Sequence, residues 1–191
     1  MGKKGIFCIE GLWDKDLRRK STVRPILELL HNNEDIPFIY RDCATVEELE
    51  FYAKQWTLKR YRSFPILYLA FHGESNAIYV GDKPYSLDEL GEKFEGRCHN
   101  SIIVFGSCST LDMRRSRLSK FLDRTGALAV CGYRSDVEWL TATAFELLML
   151  SAMQGNEFSG RGIAAIEKKI RSSSGLSREL RFHMVSKFGA P

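Results

Sequence analysis

A thiol and an imidazole within reach of each other can attack a carbonyl, the cysteine forming the bond while the histidine takes up and returns the proton. In this 191-residue chain, His72 and Cys108 are the two residues whose surroundings suit that chemistry. His72 follows the apolar run Phe64 to Phe71, and Cys108 follows Ser101 to Phe105 through Gly106 and Ser107. Each therefore stands just past a buried strand, at the carboxyl end where open α/β sheets build their sites. Cys8 and Cys131 fall inside predicted strands, where a free cysteine behaves as a small buried hydrophobe. Gly73 and Gly106 flank the pair and let an extended peptide approach closely. The backbone N–H groups of Gly73 and Cys108 are the expected oxyanion-hole donors.

The segments that must position this pair alternate in type. Gly5 to Gly11 reads as a strand, and Ser21 to Asn32 as a helix with Val23, Ile26, Leu27 and Leu30 on one face. Pro37 to Cys43 is a second strand, and Thr45 with Glu48 forms a capping box before the next helix. Phe64 to Phe71 is almost continuously apolar, the mark of a strand covered on both faces. A small hairpin is predicted over Asn76 to Tyr85, then a second capping box at Ser86 and Glu89. After Cys108, Leu118, Phe121 and Leu122 give a helix that stops at Gly126, and Ala127 to Cys131 is a further strand. Ser135 with Glu138 is predicted to cap the longest helix, whose apolar face is read as Leu140, Ala144, Leu147, Leu148 and Met153. A last helix, Ile163 to Arg171, precedes the bend Ser172-Ser173-Ser174-Gly175. Strands alternating with helices predict an α/β fold, a three-layer α/β/α sandwich around a mostly parallel sheet. One domain over residues 1–191 is expected, with 173–191 a C-terminal extension forming a helix or an edge strand.

Composition narrows the functional classes. The 28 basic and 24 acidic residues are interspersed and leave a formal charge of only +4, so nucleic acid is not an expected partner. The densest basic stretch, Arg114, Arg115, Arg117, Lys120 and Arg124, reads as the solvated face of one helix. No apolar run approaches the roughly 18 residues of a membrane span. Met1-Gly2-Lys3-Lys4 leads directly into a strand, so neither secretion nor lipid anchoring is expected. Five scattered cysteines without short paired spacing suit the reducing cytoplasm. No metal or cofactor is expected. His31 reads as a residue of a helix's last turn, His99 beside Cys98 lacks further ligand partners, and His99 and His183 read as loop residues. Nucleotide-binding glycine motifs are absent, and Gly106-Ser107-Cys108-Ser109-Thr110 lacks the second glycine of a serine-hydrolase elbow.

The order of these segments resembles the caspase-like cysteine peptidases, and among them the CHAT domains. The resemblance covers roughly residues 64 to 170: Phe71-His72-Gly73, a short hairpin, an acidic helix start, then Ile102 to Phe105 leading into Gly106-Ser107-Cys108-Ser109-Thr110. It continues through Leu118 to Phe121, Gly126 to Val130, Tyr133 with Asp136, and a helix ending in a turn at Gly155. The chain departs from the family at Gly106-Ser107, where Ser-Ala is common, and at Tyr133-Arg134, where Trp-Pro is frequent. What the resemblance implies is a cysteine endopeptidase that cleaves a protein or peptide partner and is controlled by a separate sensor or regulatory chain. The rival expectation is an inactive peptidase-like interaction module. The pocket for the residue before the scissile bond is expected in the loops after the first and fifth strands, which carry Glu10 on one side and Asp136 and Glu138 on the other. Such carboxylates would select a basic residue.

Overall fold

The computed structural model describes residues 2–19, 21–173 and 175–188. Strand β1 (Ile6–Gly11) lies between β2 (Phe38–Cys43) and β3 (Ile66–Ala70), and β3 is followed across the sheet by β7 (Ile102–Gly106) and β8 (Ala129–Tyr133). These five strands pair in parallel. β9 (Phe182–Ser186) adds to β8 antiparallel and closes the far edge, so the segment expected as an extension belongs to the main sheet. Three short strands, β4 (His72–Glu74), β5 (Ala77–Val80) and β6 (Lys83–Ser86), form a separate antiparallel sheet. The predicted hairpin is β5 and β6, and β4 joins it directly after β3.

The inner strands β1, β3, β7 and β8 are buried on both sides because helices cover both sides, whereas the edge strand β2 is partly exposed. Ile6, Cys8, Ile66, Tyr68, Ile102, Val104, Ala129 and Cys131 pack against α1 (Arg24–Glu34), α5 (Trp139–Ala152) and α6 (Gly160–Ser173). The intervening residues Phe7, Ile9, Leu67, Leu69, Ile103, Phe105 and Val130 pack against α2 (Val46–Trp56), α3 (Leu87–Lys93) and α4 (Arg115–Thr125). The period-two alternation of the strands thus divides one sheet between two cores. This is the expected α/β/α arrangement.

Both predicted capping boxes are formed, at Thr45 with Glu48 and at Ser86 with Glu89. Gly126 ends α4 at φ 79°, a left-handed conformation that glycine adopts without strain. Three local expectations are corrected. The cap of α5 is Glu138 itself, which accepts from the backbone N–H groups of Leu140 and Thr141, so the helix begins later than a Ser135 cap would require. Its buried face is Ala142, Phe145, Glu146, Met149 and Leu150, whereas Leu140, Ala144 and Leu148 are exposed. Apolar residues surround this helix, so their spacing alone does not single out the face toward the core. His183 lies in β9, not in a loop. Within the serine-rich bend, α6 continues to Ser173, Ser174 lies outside the described residues, and a short helix α7 (Leu176–Glu179) follows.

Cys131 is fully buried in β8 with its Sγ 4.0 Å from Met149 Sδ, and burial raises its thiol pKa. A serine hydroxyl there would have no comparable partner. Cys131→Ser is expected to cost about 1 to 3 kcal/mol in urea denaturation. Cys108→Ala, at a half-exposed turn, should shift the midpoint far less. Equal losses would contradict the separation of buried and site cysteines.

Candidate active site

The sheet register sets the geometry. β3 and β7 are paired neighbours, with Ala70 opposite Gly106. His72 and Cys108 each lie two residues past that pair, at matching positions on adjacent strand tips. Neighbouring strands run about 4.8 Å apart, so the two side chains issue from adjacent points on the carboxyl edge. Both line one cleft of about 180 Å³, whose walls are Trp13, Val23, Phe71, Val137, Trp139 and Ala142. Gly106, Ser107, Thr143 and Glu146 complete it.

His72 is oriented from behind. Its Nε2 lies 2.8 Å from the Trp13 carbonyl oxygen, which can only accept, so Nε2 carries the proton and Nδ1 is the basic nitrogen of the neutral ring. The indole of Trp13 meets the imidazole edge to face at 5.2 Å and meets Trp139 at 4.4 Å. Trp13 is fixed in turn by Glu10, whose Oε1 accepts from Trp13 Nε1 at 2.5 Å.

Cys108 sits in a braced turn. Ser109 adopts φ 53°, a conformation that costs a non-glycine residue about 1 to 2 kcal/mol. It is held there by its N–H to the Ser135 carbonyl at 3.0 Å and by its Oγ to Asp136 Oδ1 at 2.8 Å. Thr110 Oγ1 bonds Ser107 Oγ at 2.7 Å and the Cys108 carbonyl at 3.2 Å. The Val137 N–H donates to Cys108 Sγ at 3.5 Å, and the thiol reaches the Val137 carbonyl oxygen at 3.9 Å, so both contacts hold the sulfur against the segment after β8. Gly73 packs directly on this turn: a Cβ built there would lie 2.7 Å from the Cys108 carbonyl oxygen and 2.9 Å from Ser107 Cβ, so only glycine fits. Among the described residues, the backbone N–H of Cys108 donates to no protein group.

The other four cysteines are buried. Burial raises the thiols of Cys8 and Cys98, and pushes Cys43 up to about 12, so these stay protonated. Cys108 alone among the five leaves the core, as its position past β7 implies.

Of the three carboxylates expected to select substrate, none lines the cleft. Glu10 is 2% exposed and accepts from Trp13 Nε1, Thr22 Oγ1, the Val23 N–H and Tyr40 OH. Glu138 caps α5, and Asp136 braces Ser109. The acidic group that does line the cleft is Glu146, which the sequence reading missed. It is 3% exposed and accepts from Tyr68 OH at 2.5 Å and Tyr133 OH at 3.0 Å. A Cβ at Gly106 would lie 3.0 Å from Glu146 Oε1, which puts the carboxyl immediately under the strand tip that leads to Cys108. A glutamate four residues after Ala142 and three before Met149, inside an apolar helix, was the available signal. Trp13 and Trp139 were also missed, since an indole in a loop or in the first turn of a helix carries no pattern of its own.

A family model described as "Family of unknown function (DUF6642)" matches residues 3–185. No match to a curated protein was found.

Burial raises the Glu146 carboxyl to about 7, against the pull of its two tyrosine donors. A carboxyl whose pKa is raised in the folded state binds more protons there than in the unfolded chain between the two values. Its contribution is therefore complete below about 4.5 and is lost as pH rises through about 7. Urea denaturation at pH 5 and pH 8 should show wild type losing up to about 3 kcal/mol relative to Glu146→Gln over that interval. A difference that does not change with pH would contradict the assignment.

Proposed function

The chain belongs to the DUF6642 family, and from the geometry of its own cleft we propose that it is a cysteine peptidase of the caspase-like type. The observation that carries this reading is the matched exit of His72 and Cys108 from paired strands β3 and β7 into one cleft. In the proposed reaction His72 Nδ1 takes the Cys108 proton, and the sulfur attacks the peptide carbonyl to give a tetrahedral oxyanion. The Cys108 N–H, together with that of Gly73, supplies the oxyanion donors. The imidazolium returns its proton to the departing amine, leaving a thioester on Cys108, and water activated by the same imidazole releases the acid. The Trp13 carbonyl keeps the ring's outer N–H bound throughout, the role that a third group plays in orienting a catalytic histidine.

The cleft also bears on specificity. Its walls are mainly apolar and aromatic, and among the described residues Glu146 is the only carboxylate that lines it. A lysine or arginine side chain would lay its methylene stem along Trp13 and Trp139 and bring its charge to Glu146, which would ionise on meeting it. We therefore move the expected preference for a basic residue from Glu10, Asp136 and Glu138 to Glu146.

Peptide electrophiles that differ in the residue before the reactive carbon provide the test, with the labelled cysteine found by mass spectrometry. Labelling should fall on Cys108, favour basic peptides, vanish in Cys108→Ala, and slow by roughly 100-fold or more in His72→Ala. Glu146→Gln should lose the basic preference while keeping the labelled position. Labelling spread over all five cysteines, or none in a folded protein, would leave an inactive interaction module as the better account.

A further inference from the structure

Between β8, β9, α6 and α7 the chain leaves a second concavity, of about 410 Å³, with a strongly cationic lining. Arg134, Arg171, Arg178, Arg181 and His183 all face it. Arg171 is matched by Glu167, with Nη2 2.9 Å from Oε1, and Arg134 Nη2 reaches Asp112 Oδ1 at only 3.5 Å. Among the described residues the Arg178 and Arg181 side chains form no ion pair or hydrogen bond. Arg134 Nε is buried and has no hydrogen-bond partner. A buried guanidinium N–H without an acceptor is rare, because burial takes it out of water and no protein group replaces the lost hydrogen bond.

The backbone brings these cations together. The Arg134 N–H bonds the Arg181 carbonyl at 3.3 Å, and Arg181 is held at φ 47°, so the two side chains issue from one junction. His183 responds to the accumulated charge. Burial, and then Arg134, Arg171 and Arg115, hold its pKa below the ordinary histidine value.

We propose that this concavity binds a small polyphosphate, a compound with two or three linked phosphate groups. Guanidinium forks match phosphate oxygens with paired hydrogen bonds, and several arginines around one hollow suit several linked phosphates better than one. The cations converge on one open hollow of the size that holds a small ligand, and do not run as a stripe that would follow a nucleic-acid backbone. The Arg134 guanidinium, whose Nη2 is only loosely engaged by Asp112 at 3.5 Å, is one of the donors. This site is separate from the cleft at Cys108 and its occupancy does not depend on peptidase activity.

Isothermal titration of the full chain with inorganic tripolyphosphate, at about 0.15 M salt to screen long-range attraction, tests the proposal. One saturable site is expected, with orthophosphate weaker. Arg134→Gln and the double variant Arg178→Gln/Arg181→Gln should each weaken binding by roughly tenfold or more, the loss of a charge-assisted hydrogen bond. Arg60→Gln, in the turn before β3, should leave it unchanged. Thermal unfolding provides a second readout: tripolyphosphate should raise the Tm of wild type and not of the double variant, which alters only exposed side chains and so keeps the test valid if Arg134→Gln folds poorly. No saturable binding, equal affinity for orthophosphate, or an equal loss in Arg60→Gln would overturn the site.

Discussion

The carboxyl edge of the sheet depends on a carboxylate that the fold has removed from water. A buried charge without partners is too costly to keep, whereas a carboxylate has about four lone-pair positions and is stable when donors fill them. Glu10 is in that state, with one donor each from Trp13, Thr22, Val23 and Tyr40. Those donors come from the segment between β1 and α1 and from β2, so satisfying one side chain draws the whole connection back over the end of β1. The placement of Trp13 follows, and with it the carbonyl that orients His72. Glu10 acts on the site at one remove, through position and not through contact with a substrate.

Glu146 is a second buried carboxyl on the same side of the sheet, and its donor set is different. It receives two phenol hydrogens, from Tyr68 in β3 and Tyr133 in β8, and the charge of Glu10 acts against its ionisation. Two donors only partly offset burial, which is why the group stays poised near neutrality. The tyrosines for their part are held protonated by burial and by the adjacent carboxyl, so they remain donors. A fully satisfied carboxylate and a half-satisfied one are suited to different tasks. The first fixes a loop, and the second gains or loses its proton near neutral pH.

The sequence made the frame legible because the frame is written in short-range patterns. Continuous apolar strands, capping boxes at Thr45 and Ser86, and the glycine stop at Gly126 are local features whose physics does not depend on the rest of the chain. His72 and Cys108 were legible for a related reason: their positions just past two such strands needed only the strand ends. What was not legible depends on long-range partners. Nothing near Glu10 in the chain announces that Tyr40, 30 residues away, will donate to it, or that Tyr68, 78 residues from Glu146, will do the same there. The buried face of α5 was misread because apolar residues lie on all sides of it, and its one buried charge, the informative residue, was hidden among them.

The cleft and the cationic hollow are joined by a single short segment after β8. Its first residue, Arg134, faces the hollow, and the next three act on the cysteine turn. The Ser135 carbonyl and the Asp136 carboxylate hold Ser109, and the Val137 N–H meets Cys108 Sγ. Glu138 then caps α5, so the segment is anchored at its far end by a helix that packs on the sheet. A chain of this length, tied at every residue, has little slack in which to absorb a movement. Because Ser109 is held in a strained backbone conformation by two of those ties, loosening either would let the turn relax and carry Cys108 with it. The thiol's position is therefore set as much by the connection after β8 as by the strand that delivers it.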